Sequence, residues 1–232
     1  MTPGTSYEAE AVLLDIEGTI AAQSFVAEVL FPYARTHLAA YLAAHGTEAE
    51  VVAALDETRR RVPEAEPLAT LQDWIDRDVK APPLKFLQGR IWRQGYEDGV
   101  LKGHLYEDAR AVMTRWRRAG LPLYIYSSGS IEAQLLLFRH SEAGDVSGLF
   151  SGHFDTNIGP KVEAASYARI ARWIGLPPTA LLFLSDNTEE LAAARAAGLQ
   201  AVQVVREATI PDPDYAPVTS LGLLKVTPPG RG

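Results

Sequence analysis

The chain contains no cysteine, which excludes disulfides, thiolate metal sites and cysteine nucleophiles from the outset. No apolar run approaches the roughly 18 residues of a membrane-spanning helix. The first ten residues, Met1 to Glu10, also lack the basic-then-apolar order of a secretory signal. Basic residues are in the minority, 22 Lys and Arg against 29 Asp and Glu. The resulting net charge of −7 argues against a nucleic-acid or anionic-membrane surface, while leaving room for a local basic pocket around a small anion. Internal repeats and low-complexity tracts are absent as well. What the chain does have is 47% hydrophobic residues over 232 positions, enough for a sizeable core and too many for disorder. The expectation is a cytoplasmic protein, either one large domain or a core with a smaller companion.

The apolar pattern changes character twice along the chain. Residues 11–16 read as a buried strand. From Ser24 to His45, Val26, Val29, Leu30 and Tyr33 recur at helical spacing and Leu38 and Leu42 continue it, with Pro32 predicting a bend or two helices. Residues 47–61 form a charged amphipathic helix closed by Pro63, and its Arg59, Arg60 and Arg61 read as a solvated face. From Pro63 to Gly103 the composition stays helical, punctuated by Pro67, Pro82, Pro83, Gly89 and Gly99, and no strand is expected between Ala21 and Leu121.

After that block, strands and helices alternate. A helix over Glu107 to Ala119, capped by Gly120, leads to a strand over Leu121 to Tyr126. A helix over Ile131 to Arg139 and a short strand over Phe150 to Phe154 come next. Lys161 is expected to open a helix with Tyr167, Ile170, Trp173 and Ile174 on its inner face. A strand over Ala180 to Leu184, a helix over Glu189 to Ala197 capped by Gly198, and a strand over Gln200 to Val205 complete the series. Such alternation predicts an α/β fold with a doubly wound, mostly parallel sheet. The first ten residues are expected to be loose, and the proline-rich tail from Pro211 to wrap the surface or fray.

In an open parallel sheet, ligands bind beyond the carboxyl ends of the strands. Three predicted strand ends carry chemistry here: Asp15 and Glu17, then Ser127 and Ser128, then Asp186; Lys161 adds a cation at a helix start. Each has an ordinary alternative, since Ser127, Ser128 and Asp186 could cap the following helices and a lone Lys161 could be solvated. Taken in order, they suit phosphoryl transfer. Asp15 is placed to attack phosphorus and Glu17 to protonate the leaving oxygen and later activate water. Asp15, Asp186 and the Glu17 backbone carbonyl offer hard oxygen ligands to magnesium. The Ser127 hydroxyl and Ser128 amide would hold phosphoryl oxygens, Lys161 would neutralise developing charge, and Glu190 would orient Lys161 or a water.

These four motifs, Asp15/Glu17, Ser127, Lys161 and Asp186/Glu190, resemble those of the haloacid dehalogenase-like hydrolases. Within them, the Asp-x-Glu-Gly-Thr form is typical of the enolase-phosphatase (acireductone synthase) branch. Val29-Leu30-Phe31-Pro32-Tyr33-Ala34, Leu87-Gln88-Gly89, Leu101-Lys102-Gly103-His104, Tyr126-Ser127-Ser128-Gly129-Ser130 and Gly152-His153-Phe154-Asp155-Thr156 extend the resemblance over roughly residues 10–206. The chain departs from the branch at Ile20-Ala21-Ala22-Gln23, where the branch carries a second Thr and a Ser-Ser-Ile run.

The resemblance implies a Rossmann-like core over 1–22 and 105–232, with an all-helical cap inserted over 23–104. It implies Mg2+ as cofactor, a monomer, and catalytic Asp15, Glu17 and Lys161. Ser127, Ser128 and Lys161 would bind substrate; Asp15, Glu17 and Asp186 would hold the metal; Gly129 and Glu190 would support them. The reaction it implies is enolisation and dephosphorylation of a small phosphorylated diketone, 2,3-diketo-5-methylthiopentyl-1-phosphate, to the acireductone of methionine salvage. A phosphatase of the same superfamily acting on another small phosphorylated metabolite, without the enolase step, is the alternative, and a catalytically dead scaffold is the reading from outside enzymology. Glu17, His104 and Tyr96 are candidates for moving the carbon-bound proton, with packing or turn roles favoured for the last two.

Overall fold

The computed structural model describes residues 6–207 and 209–229. Two strands open it, β1 (Ser6–Glu8) and β2 (Ala11–Leu14). Helices α1 (Phe31–His45), α2 (Ala49–Arg61), α3 (Pro67–Asp76), α4 (Pro82–Glu97) and α5 (Glu107–Arg118) follow. Then come β3 (Leu123–Tyr126), α6 (Ile131–Arg139), β4 (Gly152–Phe154), α7 (Ala164–Ile174), β5 (Leu181–Ser185), α8 (Thr188–Ala196), β6 (Gln200–Gln203) and β7 (Lys225–Thr227). The chain divides into two compact units, one containing the described residues up to Gln23 and from Gly103 onward, the other Ser24–Lys102.

The first unit is built on a five-stranded parallel sheet ordered β4-β3-β2-β5-β6. All four residues of β2 are buried, which is why this strand reads as an unbroken apolar run rather than an alternation. Leu13 lies opposite Tyr124 on one side and Phe183 on the other. Leu13, Tyr126, Phe183 and Leu191 share one apolar cluster with Tyr167 and Ile170 of α7. The strand order reverses at β2, so its carboxyl end, with those of β3 and β5, is the switch point at which such sheets bind ligands.

The structure corrects the sequence reading in three places. Lys161 does not open α7; it lies in the turn three residues ahead of Ala164. Trp173 is not on the inner face of α7: it is 63% exposed and meets the rings of Tyr124 and Phe154 edge-on. Residues 1–5 lie outside the described residues, but Ser6–Glu8 are ordered as β1, paired in parallel with β7. Of the two fates expected for the proline-rich tail, the structure shows it ordered against the core as far as residue 229, with Val218 bridged to Val204.

The second unit is helical, and no strand occurs among its described residues. A π-helical turn over Phe25–Leu30 leads without a break into α1, with Pro32 at the junction of the two. Its core gathers Leu38, Val51, Leu71, Trp74, Leu84, Leu87 and Ile91. Helices α1 and α4 approach so closely that a side chain at Gly95 would collide with the Tyr33 ring. Tyr96 is buried here, and burial raises its phenol pKa. No helix among the described residues is long and apolar enough to cross a membrane.

Candidate active site

The loop after β2 is wound around one carbonyl. The amides of Thr19, Ile20 and Ala21 all donate to the Ile16 oxygen, at 3.2, 3.0 and 2.9 Å. Gly18 permits this winding because it adopts φ +75° and because a side chain there would run into the Asp186 carboxylate. The loop is thus seated directly against the end of β5. Its Thr19 is fully buried, donating its hydroxyl to Asp15 Oδ2 at 3.3 Å and accepting the Asp186 amide at 3.0 Å.

Asp15 and Lys161 form a buried ion pair, and Lys161 Nζ also lies 2.7 Å from Glu190 Oε2. Glu190 accepts the Ser185 hydroxyl at 3.0 Å. Burial pulls the Lys161 ammonium down, and the Asp15 and Glu190 carboxylates outweigh it, so Lys161 stays charged. Its backbone is fixed as well, since the Tyr167 hydroxyl donates to the Lys161 carbonyl at 2.7 Å. Two carboxylates sharing one ammonium cannot both ionise freely. Burial and the Asp15 charge accordingly push the Glu190 carboxyl up.

Glu17 sits one turn further into the loop, accepting the Ser127 hydroxyl at 3.1 Å. Burial, reinforced by Asp15, raises its carboxyl pKa, the condition for carrying a proton near neutral pH. The Ser127 oxygen also accepts the Gly129 amide at 3.1 Å, so the hydroxyl that ties the loop after β3 to Glu17 also braces its own loop. Ser128 is exposed at the tip of that loop. The capping duties that offered an ordinary explanation fall to neighbours: Ser130 caps α6 through the Ala133 amide and Asn187 caps α8 through the amides of Glu189 and Glu190. Ser127 and Asp186 are therefore released from that role.

The structure thus brings Asp15, Glu17, Ser127, Lys161, Asp186 and Glu190 to one edge of the sheet. No group of three or more His, Cys, Asp or Glu side chains among the described residues is disposed to hold a metal ion. The predicted set differs in kind, two carboxylates and the Glu17 carbonyl, all hard oxygen donors. The electrostatics fit a cation there. The Asp186 carboxyl is pushed up to about 6 by burial and by Asp15, and the nearest ammonium is already engaged by Asp15 and Glu190.

Sequence reasoning missed several contributors. Thr19 was legible only as part of the loop motif; its bridging hydroxyl was not. Gln134 is a buried amide that donates to the carbonyls of Gly129 and Phe154 and holds the His153 ring at 3.0 Å, fixing the loop after β3. Asp155 holds the Ile131 amide at the start of α6. His104 receives the Ala22 amide on Nδ1 at 3.0 Å, a long-range contact that leaves any proton of the neutral ring on Nε2.

Comparison with known proteins agrees with the α/β fold. The model of the haloacid dehalogenase-like hydrolase family matches residues 9–198. The chain is 50% identical to Enolase-phosphatase E1 of Bradyrhizobium sp. strain BTAi1, over 94% of this chain and 95% of that protein. It is 56% identical to Enolase-phosphatase E1 of Azotobacter vinelandii, over 85% and 89%. Among solved structures, the UTR4 protein of Saccharomyces cerevisiae superposes with a TM-score of 0.78 at 35% identity, over 92% of this chain and 99% of that one.

Proposed function

Since this chain belongs to the haloacid dehalogenase-like hydrolases and, among them, to the Enolase-phosphatase E1 proteins, we propose that it is a magnesium-dependent enolase-phosphatase. Its substrate is 2,3-diketo-5-methylthiopentyl-1-phosphate, its products the acireductone and phosphate. It works as a cytoplasmic monomer, and Ser24–Lys102 acts as the cap that excludes water from the reacting substrate.

The observation that carries this reading is the Glu17–Ser127 hydrogen bond beside the Asp15–Lys161 pair. It sets a nucleophile and a proton-bearing acid at one strand end. Asp15 attacks the phosphorus and the bond to the leaving oxygen breaks, giving an aspartyl-phosphate. Glu17, its pKa raised by burial, delivers its proton to the departing oxygen and then takes one from the water that hydrolyses the acyl phosphate. Lys161 offsets charge growing on the phosphoryl oxygens, while the Ser127 hydroxyl and Ser128 amide hold them in place. Glu190 keeps Lys161 aimed at Asp15. Magnesium, held by Asp15, Asp186 and the Glu17 carbonyl, supplies positive charge to the phosphoryl group when bound.

Phosphate release and acireductone absorbance, followed together on the diketone phosphate, test the proposal. Both signals should rise in step. Phosphate without the enediol signal would leave a plain phosphatase. Asp15→Asn should lower turnover by at least about 10⁴-fold, since an amide cannot serve as the nucleophile. Retained turnover in that variant would refute the covalent route.

A further inference from the structure

Outside the acid cluster, one buried cation is bound on every side. Arg206, just after β6, has a side chain only 9% exposed. Its Nε donates to the Thr19 carbonyl at 3.2 Å. Its Nη2 reaches both oxygens of Asp108, at 3.1 and 3.2 Å, and its Nη1 lies 3.5 Å from the Thr219 carbonyl. The guanidinium also stacks over the Tyr106 ring at 4.1 Å. Each partner is itself anchored. Asp108 accepts the Ser220 hydroxyl at 2.8 Å and the Leu221 amide at 2.9 Å. The Tyr106 amide donates to the Ile20 carbonyl at 3.0 Å, and its hydroxyl to Glu207 at 2.8 Å.

The carbonyls of Thr19 and Ile20 are therefore gripped from one side by Arg206 and Tyr106. On the other side, the Thr19 hydroxyl touches Asp15 and receives the Asp186 amide. We propose that Arg206 is a positioning residue for phosphoryl transfer: by holding the Thr19 carbonyl it keeps the Thr19 hydroxyl between Asp15 and Asp186, and so fixes which way the attacking Asp15 oxygen points. The proposal rests on the hydrolase reading of the site. The planar fork of arginine suits the task, because one group must serve a carbonyl, a carboxylate and a ring at once; a lysine ammonium has neither the fork nor the flat face. An error of an ångström at a reacting group is enough to cost about 10²-fold in rate.

The test uses the full-length protein with saturating magnesium and p-nitrophenyl phosphate, which needs the hydrolytic site alone. Arg206→Met should lower kcat roughly 30-fold with KM within about two-fold, and Arg206→Lys should recover part of the loss. Arg195→Met is the control. Arg195 stacks on Tyr215 at 4.1 Å and donates to the Ala201 carbonyl, so its loss should lower the melting temperature and leave kcat unchanged. Should Arg206→Met fail to fold, Arg206→Lys and Asp108→Asn decide, each with a reduced kcat and unaltered KM. A kcat within about two-fold of the parent in the folded Arg206 variants, or an equal loss in Arg195→Met, would overturn the proposal. Failure of the enolase-phosphatase reading would look different: the unsubstituted protein would turn over the aryl phosphate yet give no enediol from the diketone.

Discussion

At the carboxyl edge of the sheet, Lys161 meets Asp15 and Glu190 with side chains 8%, 4% and 11% exposed. In the helical unit, Arg60 and Arg61 grip Glu57, Arg59 grips Asp56 and Arg77 grips Asp73, all at helical spacing and all open to water. The two sets look alike in distance and differ in what they cost. The exposed pairs give up little hydration and gain little. The buried trio has lost its hydration and survives only because each charge has a partner. Charge density at the sheet edge is therefore a functional expense, supported by the apolar strands below it, while the helical unit draws its cohesion from the Leu38–Leu87–Trp74 cluster.

Removing Lys161 should break this contrast most severely. Lys161→Met strands Asp15 and Glu190 without their ammonium, and kcat should fall by about 10³-fold. The urea unfolding free energy at pH 7 should drop by about 3 kcal/mol, a magnitude drawn from breaking buried pairs. The loss should shrink at pH 5, where the raised Glu190 carboxyl takes up a proton. A variant as stable as the parent at pH 7 would show that the trio is far wetter than its burial indicates.

Gly18→Ala comes next. It forces an L side chain into φ +75° and against Asp186, so the loop must shift. We expect a loss of about 1–2 kcal/mol in stability and about 10²-fold in kcat. An active, stable Gly18→Ala would mean that the Asp186 carboxylate swings away freely.

This loop also marks how far the sequence could be read. Asp15, Glu17 and Gly18 are contiguous, and an apolar run ending in acids is visible without any tertiary knowledge. Ser127, Lys161 and Asp186 became legible because a parallel sheet brings successive strand ends to one edge. Arg206 gave no signal, because its partners Thr19 and Asp108 lie 187 and 98 residues away. Strands β1 and β7 were missed because three residues are too short a run for an alternation to stand out in the sequence. Trp173 was placed inward together with Tyr167, Ile170 and Ile174. At about 100° per residue it falls roughly a third of a turn off the stripe made by Tyr167, Ile170 and Ala171.

A subtler test separates the metal from the ammonium. In metal-free protein the Asp186 carboxyl, raised from 3.8 to about 6 by burial and by Asp15, favours the folded state while it is protonated. That contribution is complete below 3.8 and lost as pH rises through about 6, with Glu17 and Glu190 shifted in the same sense. Magnesium needs the ionised carboxylate, so its apparent affinity should weaken by about ten-fold per pH unit below 6. Melting temperatures with and without magnesium should coincide at pH 5 and separate at pH 7.5. Asp186→Asn should close the gap at pH 7.5.

The smallest effect belongs to the exposed set and completes the comparison. Glu57 accepts from both Arg60 and Arg61, at 2.8 and 2.7 Å, and these hydrogen bonds hold its carboxyl below the usual carboxylate range. Geometry alone would rank it with Glu190. Yet all three side chains remain hydrated in the unfolded chain and largely so in the folded one, so the pairing replaces water contacts of nearly equal worth. Glu57→Gln should therefore leave the urea midpoint at 150 mM salt indistinguishable from the parent and kcat untouched. A Glu190→Gln variant measured beside it should lose activity, because Lys161 would lose the second carboxylate that fixes its position. If Glu57→Gln proved the more damaging of the two, burial would not be what distinguishes the regions, and the helical unit would owe its stability to its charged face rather than to its apolar core.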